Sequence, residues 1–75
     1  MKYILFCENP SDNNKIWNVM DNLEELKNFR FENFDFETNE KELNIYLTSE
    51  NSAPRNEIFN IFKENGILLK EIRAI

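Results

Sequence analysis

Residues 29–48 read Phe29-Arg30-Phe31-Glu32-Asn33-Phe34-Asp35-Phe36-Glu37-Thr38-Asn39-Glu40-Lys41-Glu42-Leu43-Asn44-Ile45-Tyr46-Leu47-Thr48. The second half of this stretch alternates. Leu43, Ile45 and Leu47 share one parity, and Asn44, Tyr46 and Thr48 share the other. That period of two predicts an antiparallel strand over 42–48, buried on one face only. The first half carries four Phe in two phases, with Phe29 and Phe31 on one parity and Phe34 and Phe36 on the other. A single strand cannot bury both pairs on one face unless a bulge near Glu32-Asn33 shifts the phase. The other solution leaves Phe29 in the preceding loop. The polar run Thr38-Asn39-Glu40-Lys41 predicts a turn, so the stretch reads as a hairpin.

The flanks complete the pattern. Residues 2–8 (KYILFCE) are β-prone, apolar on both faces and bounded by Asn9-Pro10, which predicts a central strand. Ser11 or Asp12 can cap a following helix, in which Ile16, Val19, Met20, Leu23 and Leu26 form a stripe. Trp17 flanks that stripe, Asp21, Glu24 and Glu25 lie toward solvent, and the helix is expected to end near Asn28. After the hairpin, Ser52 precedes Ala53-Pro54, a helix start. Ile58, Phe59, Ile61 and Phe62 make the second stripe, with Phe59 or Phe62 expected to anchor the core. Asn65-Gly66 stops this helix, and a last strand runs from Ile67 to about Ile75. The order strand, helix, strand, strand, helix, strand predicts an α+β fold. Its arrangement is the ferredoxin-like βαββαβ sandwich, a four-stranded antiparallel sheet with two helices on one face. Residues 1–75 form a single domain.

Charge is unevenly placed. The chain has nine basic and fourteen acidic residues, a net −5. Residues 1–40 hold four basic and nine acidic residues, and residues 41–75 hold five of each, so the whole excess lies in the first part. Negative charge disfavours nucleic acid and anionic membranes and favours a basic protein partner. A lone Cys7 excludes an internal disulfide and predicts a reducing cytoplasm. The apolar run Tyr3–Cys7 is too short for a membrane span or signal sequence. Abundant Asn, Ile, Lys and Glu suits an AT-rich bacterial or phage genome.

Catalytic signals are absent. The chain has no His, one Cys and one Gly. The commonest general base, paired metal ligands and glycine-rich phosphate loops are therefore missing. No cofactor or metal is expected, and the chain reads as a non-enzyme. Cys7 on its strand reads as a small buried hydrophobe. The candidate protein-binding residues are the acidic hairpin Glu32, Asp35, Glu37, Glu40 and Glu42, together with Tyr46. The hairpin can steer a basic partner or serve only as a solvated edge. Tyr46 points to the open sheet face, where Tyr3 or Phe6 could join it. That face could equally take a second copy of the chain.

Two likenesses suggest a role. Tyr3-Ile4-Leu5-Phe6 followed by Asn9-Pro10 and a helix resembles the opening of the small C-terminal accessory domain of bacitracin- and lantibiotic-type ABC transporter ATP-binding subunits. Asn56-Glu57-Ile58-Phe59, Glu64-Asn65-Gly66-Ile67 and Lys70-Glu71-Ile72 resemble that domain's close. The resemblance implies a regulatory or assembly module. No ATPase motif is present, so ATP hydrolysis is not implied. The alternative is a small acidic inhibitor of phage or mobile-element type, anti-CRISPR-like, whose carboxylates imitate phosphates in a basic channel. That likeness is one of size and charge. The first reading makes the chain an excised domain, and the second a whole gene product.

Overall fold

A computed structural model describes residues 1–75. The elements are β1 (Lys2–Glu8), α1 (Asn13–Glu24), β2 (Phe31–Thr38), β3 (Glu42–Ser49), α2 (Arg55–Glu64) and β4 (Leu69–Ala74). The strands form one sheet in the order β2-β3-β1-β4, with every neighbouring pair antiparallel. Both helices bury their stripes in the same core as the odd-numbered residues of β1 and β3. This is the ferredoxin-like βαββαβ arrangement, with the helices on one face and β1 in the centre of the sheet.

The core follows from the alternation. Tyr3, Leu5 and Cys7 of β1 and Leu43, Ile45 and Leu47 of β3 meet Ile16, Val19, Met20 and Leu23 of α1 and Ile58, Ile61 and Phe62 of α2. Asp12 is the residue that caps α1, its carboxylate accepting from the Asn14 N–H at 2.9 Å. The helix ends at Glu24, earlier than the apolar spacing suggests. Leu26 still packs against the core from the turn that follows. α2 begins behind Pro54 without a side-chain cap, so Ser52 does not serve one. It stops at Gly66, whose φ of 71° is open to glycine at no steric cost.

The two Phe phases resolve in both ways at once. The β2–β3 register shifts between Phe31 and Asn33, which makes Glu32 the extra residue of a bulge. Phe29 sits in the loop before the strand and is fully buried. Asn51 holds that loop down, with its Oδ1 accepting from the Arg30 N–H and its amide donating to the Asn28 carbonyl. Two either-or expectations are decided here. Tyr3 lies on the helix-covered face, because it pairs with Leu47, and its hydroxyl accepts from the Ala53 N–H at 3.1 Å. Phe59 is 38% exposed and does not anchor the core, whereas Phe62 is fully buried.

Candidate functional site

The even-numbered residues of the central strands have no helix over them. Cross-strand register sets them in rows. One row runs Asp35, Tyr46, Ile4, Arg73, and the next Glu37, Asn44, Phe6, Glu71. The middle of this open face is therefore apolar and aromatic, from Ile4, Phe6 and Tyr46, all half-buried. Its margins are charged. Phe6, and not Tyr3, is the aromatic that shares the face with Tyr46.

The two margins differ. On β4, the Arg73 guanidinium lies 4.8 Å from the Phe6 ring centroid and clamps Glu71 through two contacts of 2.9 and 3.1 Å. That hydrogen bonding holds the Glu71 carboxyl below its usual range. Lys70 meets Glu42 at 3.3 Å. Positive charge on this side is thus already answered within the chain. On β2, neither Asp35 nor Glu37 has a cation within ion-pair reach. The unpaired carboxylates of the face are Asp35 and Glu37 on β2 and Glu8 at the far end of β1.

The acidic hairpin residues do not form one patch. Asp35, Glu37 and Glu42 share the open face with Tyr46. Glu32 is the bulge residue, and Glu40 lies at the turn. That turn is built by Asn39, whose Oδ1 accepts the Lys41 and Glu42 N–H groups at 2.9 Å each. Asn9 ties it to β1, donating to the Asn39 carbonyl at 2.7 Å. At one end of the face a groove of about 500 Å³ is lined by Lys2, Asn33, Asp35, Tyr46 and Thr48, with Ile75 at its side. Asn44 Oδ1 is buried beneath the face without a hydrogen-bond partner.

A second feature escapes the residue pattern. Trp17 is 50% exposed and Phe34 is 37% exposed. Trp17 packs edge-on against Phe34 and Phe36, with centroids 6.2 and 5.9 Å apart. Phe31 continues the row. The bulge at Glu32 is what brings Phe31, Phe34 and Phe36 to one side. The signal in the sequence was Trp17 standing beside the apolar stripe rather than on it.

Cys7 is buried, its thiol donates to the Leu43 carbonyl at 3.5 Å, and burial pushes its pKa up to about 11. A thiol so placed is a packing group, since the nucleophile is the thiolate. No three His, Cys, Asp or Glu residues are grouped so as to hold a metal ion. No helix is long and apolar enough to cross a membrane. No protein-family model matches the chain, and no curated protein matches it significantly.

Proposed function

We propose that the domain is a non-catalytic protein-binding module of the cytoplasm, which docks its open sheet face against a basic surface of a partner protein. The observation that carries this reading is the composition of that face. Aromatic and aliphatic side chains, Tyr46, Phe6 and Ile4, sit at its centre, and the uncompensated carboxylates Asp35 and Glu37 at its rim. Interfaces place apolar anchors centrally and charges peripherally, where the charges set encounter rates. The likeness to ABC-transporter accessory domains adds a regulatory or assembly role to the same reading.

The acidic-inhibitor reading draws on a narrower observation, the unanswered carboxylates along β2. It differs in what is needed for binding: carboxylates alone, rather than carboxylates around an apolar centre. Retention of partners from bacterial lysate by the wild-type domain, a Tyr46→Ser variant and an Asp35→Asn/Glu37→Gln variant tests both. Docking through the open face predicts that one basic protein is retained by the wild type and lost by each variant. Loss by the carboxylate variant alone favours the inhibitor. Equal retention by all three would remove the open face from the account.

A further inference from the structure

The free edge of β2 has a construction of its own. Strand order leaves residues 31–38 unpaired on one side. The Asn39 N–H donates to the Glu42 carbonyl at 3.0 Å, and the same register continues through Glu37↔Asn44 and Asp35↔Tyr46. Hydrogen-bonded and non-bonded pairs alternate in an antiparallel ladder. Glu37 and Asp35 therefore turn their backbone groups toward β3, and those of Thr38, Phe36 and Phe34 point out along the edge. The Phe36 N–H is met there by Asp35 Oδ1 at 2.8 Å.

Side chains beside this edge are sorted by face. Phe34 and Phe36 lie on the helix side against half-exposed Trp17. Asp35 and Glu37 lie on the other side without cations. Edge strands are commonly blunted by charge and bulges. The Glu32 bulge and these carboxylates do that against a second copy of the chain, since two β2 edges would oppose carboxylate to carboxylate. The same charges favour a strand of opposite sign.

We propose that the β2 edge accepts an extended cationic segment of a partner protein as an antiparallel fifth strand. Its basic side chains face Asp35 and Glu37, and its apolar side chains face Trp17, Phe34 and Phe36. The proposal rests on the protein-binding reading above and names the partner's local form. Backbone bonds to the exposed Phe34 and Phe36 groups supply affinity, and alternate side chains supply selectivity. A carbonyl of the added strand takes over the Phe36 N–H, which frees the Asp35 carboxylate to pair with a partner cation. A groove of about 360 Å³ between α1 and β2, with Ile16, Trp17, Phe36 and Leu43 as its apolar half and Asn9, Ser11, Asn13 and Thr38 as its polar half, receives one side chain against the apolar half.

A blocked peptide in which Lys alternates with Ile and Val is the probe, followed by Trp17 emission and by amide NMR of the domain. Binding with shifts at residues 31–38 and a blue-shifted Trp17 is expected. A peptide of the same composition with all Lys at one end should bind about tenfold more weakly or worse. In the antiparallel register the Ile and Val amides face β2, so N-methylating them should abolish binding, while N-methylating the Lys amides leaves it intact. Asp35→Asn with Glu37→Gln should weaken binding and flatten its salt dependence. Absence of binding, equal binding of the block peptide, or indifference to the methylation pattern would overturn strand addition. The protein-binding reading fails separately, if lysate partners are retained equally by the open-face variants.

Discussion

The two faces of the sheet are made by alternate residues of the same strands and do different work. On the covered face, Leu5, Ile45 and Leu47 are sealed beneath two helices. On the open face, their sequence neighbours Ile4, Tyr46 and Thr48 are only half-buried and surrounded by charge. Most of the stability therefore resides in one parity, and the other is left free for the proposed recognition. A period-2 strand lets selection alter one set without disturbing its neighbour.

The largest effects should fall on the covered side. Phe62→Ala removes a fully buried ring and should cost about 3–5 kcal/mol in equilibrium unfolding. Phe59→Ala, on the same helix but 38% exposed, should cost about 1 kcal/mol. Ile45→Ala should cost about 2–5 kcal/mol, and Tyr46→Ala, one residue on, about 1 kcal/mol. Equal losses for Ile45 and Tyr46 would break the division between faces, and equal losses for Phe62 and Phe59 would break the burial assigned to α2.

Cys7 sharpens the comparison by titration. Its thiol pKa is raised to about 11 from 9.0. A raised folded-state value means that the unfolded thiol ionises first, so this group's contribution to stability is whole below pH 9 and falls as pH rises toward 11. Wild type should lose stability relative to Cys7→Val across that window, read as a difference in urea midpoints. The native thiol should also resist thiol reagents until the domain opens.

The smallest effects should be on the open side, and one should have the opposite sign. Asn44→Val removes a buried oxygen that lacks a partner and should stabilise the domain by about 1 kcal/mol. Asp35→Asn with Glu37→Gln should change stability by no more than about 0.5 kcal/mol. The same pair should lower the association rate with the partner, most strongly in low salt.

Much of the covered side was legible in the residues. A β-prone apolar run bounded by Asn9-Pro10 located β1, period-2 alternation located β3, helical spacing located both stripes, and Gly66 marked the stop of α2. Legibility ended where a single backbone event decides the outcome. The clash of the two Phe phases points to the bulge at Glu32, but it does not say that the bulge and the loop placement of Phe29 occur together. Tyr3 looked like a partner for Tyr46, but on an apolar strand parity cannot be assigned until the pairing with β3 is known. Phe59 lies about 100° round α2 from Ile58, away from the arc that Ile58, Ile61 and Phe62 share, so it is left half-exposed. The acidic run splits for a related reason: Glu32 and Glu40 belong to the bulge and the turn, so proximity in sequence does not carry over to one face. The Trp17–Phe34–Phe36 cluster joins elements that the linear pattern treats separately.

The most direct measurement is amide NMR of the labelled domain as a partner captured by the wild type is titrated in. Resonances of Lys2, Ile4, Phe6, Asn44, Tyr46, Asp35 and Glu37 should shift or broaden together, while the outer surface of α2 stays unchanged. Shifts concentrated on α2, with the open sheet face and the β2 edge unperturbed, would contradict the account.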